Sequence, residues 1–333
     1  MSFFALLLAF LAEQVRPLPR SNAVHEAARA ACRWAGHALD AGSRGYAVLG
    51  WLLVVLAPAL AVWVVDALLW AVHPVLALLF HVLVLWFTLG FRQFSHHFTE
   101  IQFALARGDL NLARDHLQQW LRAGESRVST ENMSVAEVCR TAIEEGVVAS
   151  HRNVYGVLFW YAVLPGATGA ALYKLAGIAR QEWGARTDGF GEVARQAFLI
   201  LDWIPARMTA VGFAIVGNFE DAFYGWRQRA AAWDDPQRGV IVESAAGALG
   251  VRLAAVSSAW QPGRPVQEPD PGLVGPVQPA SAASEFAAAS EVPDEPVRAP
   301  DPATLQAAVG LLWRAVVLWM ALLLLLSLVS WAS

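Results

Sequence analysis

The distribution of apolar residues divides the chain into long apolar stretches separated by polar segments. Residues 46–91 are apolar and contain a single acidic residue, Asp66, and residues 315–332 contain no charge. Further apolar stretches lie at 154–179 and 197–216. About 20 apolar residues are enough to cross a bilayer as a helix. The pattern therefore predicts an all-α, polytopic bundle of membrane helices with cytoplasmic amphipathic helices.

Proline and length refine this division. A proline stops a helix near the preceding residue, so the longest stretch splits at His73 into two spans that form a hairpin. Residues 154–179 and the C-terminal stretch bring the expected number of full spans to four. The apolar residues 2–12 are too few to span alone. Two interpretations of this N-terminal helix stay open, a half-inserted helix and a span completed against other helices.

Seven segments are expected along the chain. They are a short N-terminal apolar helix with a cytoplasmic segment, a transmembrane hairpin, a cytoplasmic helical segment, membrane-embedded helices, a second cytoplasmic helical segment, a disordered linker and a C-terminal transmembrane helix. Their bounds are 1–45, 46–91, 92–152, 153–217, 218–260, 261–303 and 304–333. The linker is rich in proline and alanine, and it holds too little bulky apolar surface to offset the entropy of ordering it.

Composition and charge agree with a membrane protein and predict its orientation. Hydrophobic residues make up 56% of the chain, charged residues 16%, and the net charge is −4. Residues 16–44 and 92–152 are rich in arginine, with five and seven arginines respectively, and positively charged side chains in short loops mark the cytoplasmic side. These segments and the linker are therefore expected in the cytoplasm, with His73 outside. Cys32 and Cys139 have no metal or disulfide spacing.

Motifs for nucleotide binding and for hydrolysis are absent from the sequence. Neither GxxxxGK[ST] nor GxGxxG occurs, and GxSxG and HExxH are missing as well. His96 and Glu100 are one helical turn apart, which permits metal ligation. Because only these two ligands are local, ordinary polar residues on a helix surface are the favoured interpretation.

The most informative polar residues are Asp202 and Arg207, which flank Pro205 within an apolar stretch. Charged groups at membrane depth usually face a cavity or a partner. One alternative is a polar site at the cytoplasmic mouth of the bundle. The other is an Asp202–Arg207 pair, or two groups reaching the interface, that anchors a broken helix. The stretch either returns through the interior of the bundle or lies at its edge.

Several strings resemble one superfamily of integral membrane proteins, which contains AmpE and the CobD/CbiB adenosylcobinamide-phosphate synthases of cobalamin biosynthesis. His97 followed by residues 103–114 (FALARGDLNLAR) resembles a cytoplasmic helix of that superfamily. Residues 164–173 are similar to its core string ending in tyrosine, and residues 204–210 (IPARMTA) are similar to its IPARLTA string. The order of these strings matches the superfamily up to about Trp226.

The resemblance also implies a branch and a set of candidate residues. The synthase branch carries acidic and amide residues suited to Mg²⁺ and phosphate, and this chain lacks them. Arg152 and the stretch after Leu201 resemble the AmpE branch. The resemblance therefore implies an AmpE-like accessory or signalling modulator of the bacterial inner membrane, without catalysis or cofactor. The alternative is Mg²⁺-dependent amide bond formation of the synthase kind.

The candidate polar site and the partners complete the expectations. The site residues are Asp202, Arg207, Arg152, Glu144 and His97. The lipid bilayer is the expected surrounding, and no nucleic acid is expected as a partner. A membrane or cytoplasmic protein partner and a homo-oligomer stay open.

Overall fold

The computed structural model describes residues 2–15, 22–40, 43–123, 128–253 and 299–332. Within these ranges the chain forms twelve helices and no strand, which confirms the all-α prediction. The helices are α1 (Ser2–Val15), α2 (Ala23–Ala38), α3 (Arg44–Val72), α4 (Pro74–Thr88), α5 (Phe91–Ala106), α6 (Leu110–Ala123), α7 (135–163), α8 (Thr168–Trp183), α9 (Gly189–Val216), α10 (Phe219–Arg229), α11 (Pro236–Ala248) and α12 (Pro302–Ala332).

Three helices have the length and composition of membrane-spanning segments. They are α3, α9 and the Pro302–Val329 part of α12, and two shorter apolar helices lie at Phe3–Glu13 and Pro74–Thr88. Exposed leucine, valine and tryptophan side chains cover the outer faces of α3 and α12. In a lipid environment these side chains need no further protein partner. The predicted C-terminal helix is present, whereas most of the predicted linker lies outside the described residues.

The hairpin of α3 and α4 turns at His73. The backbone of His73 is extended, with φ −164° and ψ 129°, and its ring Nδ1 accepts a hydrogen bond from the Val75 amide at 3.2 Å. Pro74 occupies the first turn of α4, where its missing N–H has no helical partner to lose. Helix α1 packs along α4, so the N-terminal helix is part of the bundle.

The expected third span, residues 154–179, is not one helix. Helix α7 ends at Val163, the chain turns through residues 164–167, and α8 returns along α7. The sequence explains the turn, because Leu164 precedes a proline and is extended. Gly166 has φ +63°, a left-handed conformation that favours glycine. These residues therefore form a helical hairpin, and the expectation that they make one full span is wrong.

Helix α9 passes through Pro205 without interruption, so the broken helix of the second alternative is not found. Proline has no N–H for the carbonyl four residues before it, which here belongs to Leu201. The Trp160 indole of α7 donates to that oxygen instead, at 3.2 Å. A neighbouring helix thus supplies the hydrogen bond that the proline removes.

The string that resembles a cytoplasmic helix of the family is a helix–turn–helix. Helices α5 and α6 pack on each other, and Gly108 between them has φ +75°. Asp109 caps α6, since its carboxylate accepts a hydrogen bond from the Leu112 amide at 2.9 Å. Gly108 and Asp109 of this string therefore form the turn and cap the second helix. Helix α8 lies at the centre of the bundle, in contact with α2, α3, α4, α7 and α9.

Candidate functional site

Asp202 lies at the point where α9 packs on the hairpin of α7 and α8. Its Oδ1 is 2.8 Å from Nε2 of His151 and accepts a hydrogen bond from the Tyr173 hydroxyl at 2.7 Å. The other ring nitrogen of His151 is 2.9 Å from the Thr209 hydroxyl. We call these four residues the polar centre. All four are buried, and the hydroxyl groups of Tyr173 and Thr209 each have a partner within the set.

A π-helical turn in α7 begins at His151. The Gly156 amide bonds to the His151 carbonyl, five residues back, so residues His151–Tyr155 contain one more residue than a regular turn. His151, Val154 and Tyr155 are buried at the i, i+3 and i+4 spacing of one helix face. Arg152, between them, stays partly exposed. Such turns occur frequently at functional sites.

A group of arginines adjoins the polar centre. We call Arg152, Arg180, Arg238 and Asp235 the arginine cluster. Asp235 Oδ2 is 2.6 Å from Arg180 and 3.5 Å from Arg152, while its other oxygen caps α11. Arg238, on the first turn of α11, is 2.7 Å from Glu145 and 3.8 Å from Glu144. Each of the four side chains is about one quarter to one third exposed.

The charges of the cluster favour binding of an anion. Burial raises the pKa of Glu144 to about 7, against the attraction of Arg238. Burial would also raise the pKa of Asp235, but the Arg180 guanidinium beside it holds that pKa below its usual range. Three guanidinium groups thus face Asp235, Glu145 and a carboxyl group that is partly protonated near neutral pH. A net positive charge with free N–H donors remains, which suits a phosphate or a carboxylate.

The predicted site residues separate into two groups. Asp202 belongs to the polar centre, Arg152 to the arginine cluster, and Glu144 borders that cluster. Arg207 points elsewhere: its guanidinium donates to the Trp203 carbonyl at 2.9 Å and lies 3.9 Å from the centre of the Trp203 ring. Among the described residues, Asp202 and Arg207 form no ion pair, so the alternative in which these two residues pair with each other is wrong.

His97 also lies apart from the polar centre. It stacks on Trp120 in the hairpin of α5 and α6, with 5.7 Å between the ring centres. In the same hairpin the Glu100 carboxylate is 3.2 Å from His96 and 3.4 Å from His116. The favoured interpretation of His96 and Glu100 as polar surface residues is consistent with this side-chain pairing.

The residues present do not fit a protein-held Mg²⁺ ion. Across the described ranges no three His, Cys, Asp or Glu side chains are placed to hold a metal. Asp202 is engaged by His151 and Tyr173, and Asp235 is engaged by two arginines. Mg²⁺ needs several oxygen ligands in octahedral geometry. Both contacts of Asp202 are on Oδ1 and both oxygens of Asp235 have partners, so these two carboxylates do not supply a set of oxygen ligands for Mg²⁺.

Sequence reasoning missed six members of the polar centre and the arginine cluster, which are His151, Tyr173, Arg180, Thr209, Asp235 and Arg238. Asp235 and Arg238 lie in a short polar loop and the first turn of α11, with no apolar context to mark them. His151 was the detectable residue, because it introduces a polar string just before an apolar run. The partners of this histidine, Tyr173, Asp202 and Thr209, are too far away in sequence to be inferred from its local context.

Comparison with known proteins gives the family. A family model described as CobD/Cbib protein matches residues 3–283, most of the chain. The chain belongs to the CobD/CbiB family. Three helices suited to membrane spanning agree with that membership, so this CobD/CbiB chain is a membrane protein. No solved structure matches it.

The curated relatives correct the expected branch. "Cobalamin biosynthesis protein CobD" of Stutzerimonas stutzeri is 32% identical over 219 residues, which cover 65% of this chain and 69% of the relative. The protein of the same name from Chromobacterium violaceum is 35% identical over 214 residues, 63% of this chain and 64% of the relative. All five relatives that match carry this name and none is named AmpE. The expectation of an AmpE-like modulator is therefore wrong.

Proposed function

We propose that this CobD/CbiB chain acts in cobalamin biosynthesis, in the amide bond formation that joins a phosphorylated amine to a corrinoid carboxyl group. The observation that carries the proposal is the match to relatives named for cobalamin biosynthesis, one of them at 32% identity over 69% of its length. The resemblance to the synthases supplies the reaction class.

The arginine cluster supports a role in holding the phosphate. Arg152 and Arg180 share one carboxylate, Asp235, so their remaining N–H groups are free to bind a second anion. The polar centre and the arginine cluster meet in α7, because His151 and Arg152 are consecutive residues of the π-helical turn. The cluster would bind and orient the amine substrate through its phosphate, while His151, Tyr173 and Asp202 fix the helices that carry the arginines.

The location and cofactor belong to the same proposal. The apolar helices and the arginine distribution support a multi-pass arrangement in the bacterial inner membrane, surrounded by lipid. The carboxylates of the described site are engaged by basic groups, which supports the expectation that the protein itself holds no metal. Metal analysis of the purified protein tests that expectation.

Complementation tests the function. The intact chain is expressed in a bacterial strain that lacks its own CobD-type gene, and growth is measured where it requires newly made cobalamin. Wild type should restore growth. Arg180→Gln should accumulate in the membrane normally but restore growth poorly, because the phosphate loses one of its two guanidinium partners.

Arg122→Gln is the matched control, since Arg122 is an exposed arginine on α6, outside the cluster. It should complement like wild type. Failure of a normally abundant, membrane-inserted wild-type chain to restore growth would overturn the proposed function. Full growth with Arg180→Gln would show that the arginine cluster does not bind the phosphate. The proposed role in cobalamin biosynthesis would still stand.

A further inference from the structure

Helix α10 presents an exposed aromatic face directly after a membrane-type helix. Only Gly217 and Asn218 separate it from the end of α9. Phe219, Phe223 and Tyr224 are 59%, 42% and 55% exposed. The rings of Phe219 and Phe223 stack with 6.2 Å between their centres, and no described protein element covers them.

The opposite face of α10 is fixed against the protein. Ala222 is fully buried and Gly225 is buried, and a Cβ built at Gly225 would lie 2.7 Å from the Glu243 carbonyl of α11. The Arg229 side chain also bonds to the Glu243 carboxylate at 2.7 Å. The aromatic face is therefore held in one direction, because α10 cannot rotate without losing this close packing.

The outer face of α9 is apolar up to its C-terminal end. Its exposed apolar residues recur at helical spacing and are Ile200, Ile204, Met208, Val211 and Ile215. Gly217 and Asn218 then end the helix, and Phe219 is the first residue of α10. Lipid around the end of α9 is therefore two residues along the chain from the start of the aromatic face.

We propose that α10 lies in the headgroup layer of the membrane, with Phe219, Phe223 and Tyr224 directed into the lipid. Aromatic side chains are enriched at this depth. The Arg227 guanidinium lies 5.6 Å from the centre of the Phe223 ring. From this position the arginine side chain can extend towards the headgroups while Phe223 enters the lipid. By helical spacing Glu220 and Arg227 lie on the same outward face as the aromatic side chains, where they meet the headgroups, and Asp221 is also exposed. The exposed acids outnumber Arg227, so aromatic insertion drives the contact and no anionic lipid is required.

Lipid quenching of a fluorescent label tests this surface. A polarity-sensitive dye is attached to Phe223→Cys in the intact protein, reconstituted in phosphatidylcholine vesicles. Native Cys32 and Cys139 are fully buried, so the dye reports the introduced site. A nitroxide near the lipid headgroup should remove most of the fluorescence, and a nitroxide at the chain end should remove less. Addition of phosphatidylglycerol should leave both results unchanged.

Two further labelled positions calibrate the result. Leu326→Cys, on the exposed face of α12, should respond more to the deep nitroxide. Gln119→Cys, exposed on α6, should respond to neither nitroxide and should be quenched by aqueous iodide. A label at position 223 that behaves like position 119 overturns the proposal. A label at 223 shielded from both iodide and lipid nitroxides also overturns it, because a second copy or another protein then covers this face.

Discussion

Asp202 and Arg207 are close in sequence but have different surroundings. Their side chains should therefore contribute different amounts to the free energy of unfolding. Asp202 is 3% exposed, and its carboxylate contacts His151 and Tyr173. Arg207 is partly exposed, and its guanidinium donates to the Trp203 carbonyl and stacks on the Trp203 ring of its own helix. A buried group whose removal strands its partners costs far more than a partly exposed one.

We expect Asp202→Ala to lower the free energy of unfolding by about 3 kcal/mol, because His151 and Tyr173 lose their shared acceptor. Arg207→Ala should cost at most about 1 kcal/mol. Thermal unfolding in detergent measures both. Tyr173→Phe combined with Asp202→Ala should cost less than the sum of the single changes. Additive costs at 202 and 173, or non-additive costs at 202 and 207, would contradict the contacts described.

Glu144 should make stability depend on pH. Its pKa is raised from 4.5 to about 7 by burial, so the folded chain keeps a proton that the unfolded chain releases. Stability therefore falls as the pH rises from about 4.5 to about 7, and the loss persists above that range. Glu144→Gln should be more stable than wild type at about pH 8, by an amount on the order of 2 kcal/mol, and should match it near pH 4.

Glu145→Gln is the control for this measurement, because Glu145 bonds directly to Arg238 at 2.7 Å. It should lower the melting temperature at about pH 8, where Glu144→Gln raises it. If Glu144→Gln is no more stable than wild type at the higher pH, burial does not control the protonation of the Glu144 carboxylate in the wild-type chain.

Among the elements, the turn between α7 and α8 depends on one glycine. A Cβ built on Gly166 would lie 2.0 Å from the Asp66 carboxylate, and its φ is +63°. Asp66 in turn is 2.7 Å from His81, whose ring is 3.0 Å from the Tyr161 hydroxyl. The turn therefore rests on a polar contact that joins α3, α4 and α7.

Gly166→Ala should lower the melting temperature in detergent well beyond Gly108→Ala. Gly108 has a similar φ of +75° but open space around it, so its substitution costs only the backbone strain, about 1 kcal/mol. At Gly166 the same strain is joined by a clash and by disturbance of the Asp66–His81 pair. Adding Asp66→Ala should relieve the clash. Equal costs for the two glycine variants would show that the turn tolerates a Cβ.

The sequence predicted some element boundaries and not others. The hairpin at His73 and the helical pair around Gly108 were accessible, because proline and glycine mark both turns. The break at residues 164–167 has the same kind of signal in Pro165 and Gly166, but continuous apolar character on both sides favoured a single span. The contacts of Asp202 were inaccessible, because His151 and Tyr173 are 51 and 29 residues away in sequence.

At the scale of the whole molecule, the orientation in the membrane is a testable expectation. A membrane-impermeant maleimide added to intact cells should label His73→Cys and miss Asp109→Cys, which should label only after permeabilisation. Both positions are exposed. Cys32 and Cys139 are fully buried, so their failure to label would not report sidedness. Labelling of Asp109→Cys in intact cells would reverse the predicted topology.

The superfamily could be predicted from the sequence, but the branch could not. Strings around Gly108, Pro165 and Pro205 pointed to the right superfamily, and two of them are explained by turn and helix geometry. The branch was inferred from carboxylates that this chain lacks. That inference failed because missing ligands do not show what replaces them, and here a set of arginines surrounds Asp235.

The extra residue in α7 affects how this chain can be aligned with its relatives. One residue turns a helix by about 100°. A relative with one residue fewer between positions 150 and 156 would form a regular helix there, and the side chain at its aligned histidine position would face a different direction. Alignment gaps in this short interval therefore decide which residue of a relative corresponds to His151, and a shift of one column would assign the wrong side chain to the site.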